Sequence, residues 1–294
     1  MMLEETYAEY KPRLFGLAYR MLGSAADAED MVQDVFAQYM VIDKDEVRNE
    51  QAYLMKMTAN RCINLIRSSR KRRETYVGPW LPEPLPDADR EGQSDPAERR
   101  EQVGYAYLVM LQQLTPLERT VYITKETLGF EYRDIAEMLD KTELSCRKTF
   151  SRAGRKMKTL SGGSDAFPSK GADPGVQDRF VEAFLRASDT GNFKPLVAFL
   201  MEEVTLVSDG GGKARAALNP ILGLSRVQAF FEGLAAKGRF REGFVPAGVN
   251  GELCLLLKNE GRIAWAICPE WEPGGSRIRK LYLIVNPDKL RRFN

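Results

Sequence analysis

Residues 132–158 read YRDIAEMLDKTELSCRKTFSRAGRKMK, and the reading of the first half of the chain turns on how this stretch folds onto itself. Ile135, Ala136 and Leu139 form one apolar face, and Cys146, Phe150, Ala153 and Met157 form another at spacings of four, three and four, the rhythm of an α-helix. Asp140–Glu143 between them is only long enough for a turn, so the two faces close on each other as a helix-turn-helix. The opposite face of the second helix carries Arg147, Lys148, Ser151, Arg152 and Arg155. A helix so charged fits the major groove of duplex DNA, where Arg and Lys reach phosphates and guanine edges. An ordinary basic hairpin satisfies the same spacing, and context separates the two readings.

The context is a division of charge hidden by a net +2. Residues 1–46 hold ten acids against four bases, Gln51–Arg73 holds seven bases and no acid, and Thr142–Lys158 holds six bases against Glu143 alone. Two separated basic blocks beside an acidic one suggest two nucleic-acid contacts and one protein contact. The chain has no histidine, so it lacks both the commonest metal ligand and the usual proton shuttle near neutral pH. Cys62, Cys146, Cys254 and Cys268 are scattered without a CxxC pair, which favours reduced thiols in the cytoplasm over a disulfide framework or a zinc site. The acidic start MMLEETYAEY does not read as a signal peptide. The short apolar runs predict no membrane span.

Working outward, Thr115-Pro116-Leu117-Glu118 combines a cap, a proline at the first helical position and the glutamate of a capping box, so a helix begins at Pro116 and runs to Gly129. Helices are expected over about 4–22, 24–40 (opened by Ser24 with Asp27 as the box acid) and 50–72. Residues 74–97 contain GPWLPEPLP at 78–86, where periodicity stops and proline keeps the chain extended. A second, Gly/Pro/Ser-rich linker spans 161–175. Beyond it, 176–203 reads as helical. Strand-like runs follow at 204–208, 240–247, 252–258, 262–268 and 277–285, of antiparallel type, giving an α+β domain.

On these motifs the chain resembles a known family. Asp27-Ala28-Glu29-Asp30-Met31-Val32-Gln33-Asp34-Val35-Phe36, then Ala59-Asn60-Arg61 with Arg67 and the Arg70–Arg73 cluster, is similar to region two of the extracytoplasmic-function sigma factors. Leu114–Arg119 and the helix-turn-helix are similar to region four. Cys146 and Phe150 stand where that family more often has Val and Leu, and Lys141-Thr142-Glu143 is a less usual turn. The resemblance implies that Asp27, Asp30, Gln33 and Asp34 dock on core RNA polymerase. Asn60, Arg61, Asn64, Arg67, Arg70, Lys71 and Arg72 would hold the opened minus-ten strand, with donors suited to phosphates and unstacked bases. Arg147, Lys148, Ser151, Arg152 and Arg155 would read the minus-thirty-five duplex. The partners implied are core polymerase and promoter DNA, with no membrane and no dedicated anti-sigma protein.

Residues 176–294 resemble a SnoaL-like domain, the α+β cone shared with ketosteroid isomerase and nuclear transport factor two. One subgroup of the family carries this extension together with three phrases found here: Trp80-Leu81-Pro82-Glu83-Pro84, Asp209-Gly210-Gly211-Gly212-Lys213 and Asn286-Pro287-Asp288-Lys289-Leu290. The expectation is that Trp80 and Leu81, presented by a stiff proline segment, dock on the cone near the other two phrases. The cone would thereby regulate the DNA-binding halves in cis, and the acidic remainder of the linker would enter polymerase when released. The cone is also a ready pocket for a small hydrophobic ligand. Asp209 is the candidate base of an enzyme reading, with Tyr282, Trp265 or Trp271 lining a cavity. Asp followed by three glycines, however, is what a tight turn prefers, so no catalytic residue, metal or cofactor is assigned.

The sequence thus predicts a multidomain chain, with two all-α sigma domains followed by an α+β SnoaL/NTF2-like cone. Its segments are 1–73, a linker over 74–97, 98–160, a linker over 161–175, and 176–294. The rival reading is a helix-turn-helix regulator with a ligand-sensing cone that never joins polymerase. It leaves the acidic helix and the first basic block unexplained.

Overall fold

The computed structural model describes residues 2–43, 47, 49–87, 104–163 and 172–294. They cluster into two compact units: one formed by 1–74 with 110–163, the other by 75–109 with 164–294.

In the first unit, helices α1 (Met2–Leu22), α2 (Ala25–Tyr39) and α3 (Glu50–Glu74) pack together. Their core is Leu14, Leu17, Val32, Val35, Leu54 and Cys62, all nearly inaccessible to solvent. The Ser24 hydroxyl caps α2 by accepting from the Asp27 amide at 3.2 Å, which relieves one of the unpaired N–H groups of the first turn. Met110 and Leu111, the last residues of helix α4 (Tyr105–Leu111), lead to α5 (Pro116–Tyr122), where both halves of the expected capping box are formed. The α-helix does not continue to Gly129 as the sequence suggested. It gives way to a π-helical turn, Ile123–Thr127, closed by the Leu128 amide on the Ile123 carbonyl at 3.1 Å. Helices α6 (Tyr132–Leu139) and α7 (Glu143–Leu160) follow, with Asp140 between them in the left-handed region at φ 52°.

In the second unit, α8 (Pro174–Thr190) and a 3-10 turn (Lys194–Phe199) precede a sheet of β1 (Leu200–Asp209), β2 (Ile221–Leu222), β3 (Phe244–Val249), β4 (Glu252–Asn259), β5 (Arg262–Trp271) and β6 (Ile278–Ile284). Helix α9 (Leu224–Ala236) lies between β2 and β3 in the chain, and a 3-10 turn (Pro287–Phe293) closes the domain. Spatial order is β2-β1-β6-β5-β4-β3. Two expectations are corrected here. Helix stops at Thr190, because Gly191 adopts φ 74° as a left-handed cap, and β1 starts at Leu200. The strands are also not all antiparallel. The chain returns through α9 and the β3–β5 meander, so β6 arrives alongside β1 in the same direction and pairs with it in parallel.

Alternation along the strands splits the sheet. One face (Leu206, Leu255, Leu257, Ile267, Leu281, Leu283) meets α8 and α9 across a core of Phe180, Phe184, Phe193, Phe231, Phe240 and Phe244. Phe184 alone has three other rings within 5.0–5.8 Å, all edge-on, the favoured aromatic geometry. These phenyl rings occupy the interior that the cone reading offered to a ligand. The other face carries Cys254, Cys268, Glu270 and Tyr282.

Candidate nucleic-acid interface and linker platform

Buried residues of α2 (Ala28, Met31, Val32, Val35, Phe36 and Tyr39) take one side of the helix, which leaves Asp27, Asp30, Gln33 and Asp34 exposed on the other. On α3, Asn60, Asn64 and Arg67 are exposed at spacings of four and three, along one stripe. Arg61 behaves differently. It donates to Gln38 Oε1 at 2.5 Å and lies 3.5 Å from the Asp34 carboxylate, so it ties the expected DNA helix to the expected polymerase helix. The expected roles of Arg70, Lys71 and Arg72 fall on side chains outside the described set. Tyr53 is half-buried, 6.4 Å from the Tyr39 ring.

The helix-turn-helix is held from inside. Ile135, Ala136 and Leu139 face Cys146, Ala153 and Met157, all buried. Phe150, expected in the same core, is half-buried, stacked on Tyr122 at 5.6 Å and edge-on to Tyr132 at 6.0 Å. Lys156 bridges to Glu118 at 2.7 Å, joining α7 to α5. The Arg119 side chain, fully buried, donates to the Met21 carbonyl at the end of α1 and to Gln112 Oε1 at 2.8 Å. Sequence reading missed Arg119 because nothing in the short helix Pro116–Tyr122 distinguishes a buried arginine from a surface one.

Arg147, Lys148, Ser151, Arg152 and Arg155 are all exposed along α7. Two have local partners. The Arg147 guanidinium sits 4.5 Å over the Tyr132 ring and 3.5 Å from Glu143, and Arg152 reaches the Thr149 hydroxyl at 3.4 Å. The planar fork of Arg147 is therefore aimed before any ligand arrives.

The second constellation lies in the other unit, and there the three phrases meet. Asp209, with 0% exposure, accepts from the Tyr76 hydroxyl at 2.6 Å, the Leu81 amide at 2.8 Å and the Lys289 ammonium at 2.6 Å. Lys289 also donates to the Leu81 carbonyl and lies 4.3 Å over the Trp80 ring. Asn286 Nδ2 donates to the Tyr76 oxygen at 2.9 Å, and the Asn286 amide donates to the Asp209 carbonyl at 3.0 Å. Burial and the Asp209 carboxylate push the Tyr76 phenol well above its ordinary value. A Cβ on Gly211, at φ 57°, would lie 2.3 Å from Asn286 Nδ2, and one on Gly210 would lie 2.3 Å from the Ala214 carbonyl oxygen. The glycines thus let backbone and Tyr76 approach closely. Lys213 pairs with Asp288 at the rim, and Leu290 is buried beneath.

The docked segment extends beyond the expected phrase. Leu81 through Leu85 is buried. Glu83 lies 3.5 Å from Arg292, Leu85 exchanges two hydrogen bonds with Asn250 at 2.9 and 3.0 Å, and Asp87 accepts from the Gly251 amide at 2.8 Å. Tyr105, at the start of α4, donates its hydroxyl to the Pro82 carbonyl at 2.7 Å. Its amide donates to Glu252 Oε2 at 3.0 Å. Burial pushes the Glu252 carboxyl up to about 8. The Tyr105 amide opposes the shift, and the Glu270 and Asp87 carboxylates add to it. Sequence reading missed Tyr76, Asn250, Tyr105 and Glu252, although Asn250-Gly251 between two strands is a hairpin signal.

Asp209 already accepts three donors, and Tyr282 donates to Glu270 beneath Arg279. Among the described residues no group of His, Cys, Asp and Glu could hold a metal ion, and no helix is long and apolar enough to cross a membrane.

Residues 6–72 match Sigma-70 region 2, and residues 105–157 match Sigma-70, region 4. An acidic helix, a basic helix and a helix-turn-helix in this order define a transcription-initiation protein of the sigma-70 class. Over 83% of this chain and 77% of the other, the sequence is 31% identical to ECF RNA polymerase sigma factor SigJ of Mycobacterium tuberculosis. It is 29% identical to the probable ECF RNA polymerase sigma factor SigI of the same species, over 65% of this chain and 64% of that one. The crystal structure of SigJ matches with a TM-score of 0.73 at 25% identity, covering 97% of both chains. The chain belongs to the extracytoplasmic-function RNA polymerase sigma factors.

Proposed function

We propose that this sigma factor is regulated in cis by its C-terminal α+β domain, which captures the linker between the two promoter-binding regions. The observation that carries the reading is the Asp209 carboxylate, buried and saturated by donors from Tyr76, Leu81 and Lys289. A carboxylate and an ammonium are expensive to bury apart and tolerable together when their remaining hydrogen bonds are met. Docking of residues 76–87 therefore behaves as a unit, and release exposes Lys289 and Asp209 together with Leu81 and Leu85. In the released state the linker's acids become free for the cationic surface of polymerase.

Within this reading Asp27, Asp30, Gln33 and Asp34 engage the polymerase. Asn60, Asn64 and Arg67 hold the opened minus-ten strand, and Arg61 joins them once its contact with Asp34 and Gln38 is exchanged for phosphate. Arg147, Lys148, Ser151, Arg152 and Arg155 engage the minus-thirty-five duplex. Polymerase performs the chemistry, and this chain contributes binding energy to an opened strand. The phenyl-filled cone interior supports regulation by linker capture in preference to a hydrophobic ligand.

The test is run-off transcription with core enzyme and full-length chain, comparing the wild type with Asp209→Asn. Release of the linker changes transcript yield at a fixed promoter. Equal yields at every ratio of chain to core enzyme would remove the regulatory reading while leaving the sigma-factor assignment intact.

A further inference from the structure

The outward stripe of α7 does not begin with a charge. Leu144, Lys148, Ser151 and Arg155 follow one another at spacings of four, three and four, and all are exposed. Leu144, at 62% exposure, is one of few large apolar side chains so open to solvent among the described residues. It occupies the first turn of the helix, just after the Thr142 cap, whose hydroxyl accepts from the Ser145 amide at 3.2 Å. No hydrophobic staple explains it. The residue before the cap is Lys141 and the one that would complete a staple is the buried Cys146, so Leu144 has no part in that contact. Leu144 also shares a concave surface with Ser145, Lys148, Ser151, Arg152 and Arg155. Cations that seek phosphate thus surround an apolar tip that has nothing to bury.

The first turn of a recognition helix is the part that reaches base edges, while flanking cations settle on the backbone. Among the bases, thymine alone presents a methyl group in the major groove, and apolar side chains are what read it. The geometry points to Leu144 as a specificity-determining residue that packs on a pyrimidine 5-methyl group in the minus-thirty-five duplex. This inference rests on the promoter role of α7 proposed above and assigns the first turn its own task. Arg147, pre-aimed by Tyr132 and Glu143, suits a guanine edge or a phosphate, Lys148 one turn on suits a phosphate, and Leu144 reads the methyl.

The test uses the full chain assembled with core polymerase. Preferred duplexes are selected from a random library by wild type and by Leu144→Ala, which removes an exposed side chain and leaves the helix core untouched. One position at which wild type favours thymine should lose that preference. At this position, replacing thymine with deoxyuridine should weaken wild-type binding about fourfold, the factor expected from burying one methyl group. Leu144→Ala should not notice the replacement, and 5-methylcytosine should recover part of the wild-type preference over cytosine. Lys148→Ala is the comparator and should weaken all sequences alike. If wild type selects a defined sequence but is indifferent to deoxyuridine at every thymine, the methyl contact is wrong and the promoter role of α7 stands. If Leu144→Ala lowers transcription without changing the selected sequence, Leu144 touches a protein and the inference also fails. If wild-type holoenzyme selects no sequence at all, the promoter reading fails together with this one.

Discussion

The two constellations of charge in this chain are opposites. Along α7 the cations Lys148 and Arg155 point into solvent, and even Arg147 is held by an aromatic face and one exposed carboxylate. At the platform, Asp209 is buried and the Lys289 side chain is only 11% exposed, and each is satisfied from several sides. A surface charge cluster costs little and waits for a partner outside the chain. A buried pair is stable only while its whole set of donors and acceptors is present. The difference separates a surface built for another molecule from one built for the chain's own linker.

The sharpest way to break that contrast is to delete a member of each set and measure stability. Asp209→Ala leaves Lys289, the Tyr76 hydroxyl and the Leu81 amide without their shared acceptor. Urea unfolding of the full chain should show its C-terminal transition weakened by about 3–5 kcal/mol, the usual cost of removing one partner of a buried pair. A loss below about 1 kcal/mol would mean that the platform is no more than a surface salt bridge.

A smaller effect is expected at Glu252. Its carboxyl titrates near 8 in the folded chain and near the ordinary carboxylate value of about 4.3 when unfolded. Between those limits the folded state holds one proton more than the unfolded state, so stability falls as pH rises through this window and levels off above it. Glu252→Gln keeps an acceptor for the Tyr105 amide but cannot ionise. It should flatten the decline and be the more stable form at pH 8 and above, as read from thermal unfolding across pH. An unchanged slope would show that Glu252 is not the source of the decline.

The least effect on folding should come from Lys148→Ala. Stability should stay within about 0.5 kcal/mol, while the slope of log binding constant against log salt for promoter duplex falls by about one. That pairing is the reverse of the Asp209 result.

Much of this was legible in the residues. The helix-turn-helix could be read because its apolar stripe and the Asp140–Glu143 turn are local, and Thr115–Glu118 declared its own cap. The convergence of Trp80–Pro84, Asp209–Lys213 and Asn286–Leu290 was expected from their occurrence together. What could not be read was long-range. Tyr76 looks like any residue after a helix, and Asn250 like any hairpin turn, until the linker is laid against the sheet. The parallel pairing of β1 with β6 depends on where the intervening chain returns, which no window of sequence contains. Helix α9 was passed over because its apolar residues, among them Val227, Phe230, Phe231 and Leu234, lie in a Gly-punctuated stretch that showed no clear caps. The filling of the cone by six phenylalanines is likewise a property of packing, since each of those residues alone fits an open pocket wall equally well.

Hydrogen exchange at the Leu81 and Leu85 amides tests linker capture most directly, because in the docked state these amides donate to Asp209 Oδ2 and Asn250 Oδ1. In the free full-length chain both should exchange as slowly as amides of the sheet, and Asp209→Asn should release Leu81. Exchange of both amides at the rate of an open peptide in the wild-type chain would contradict the account.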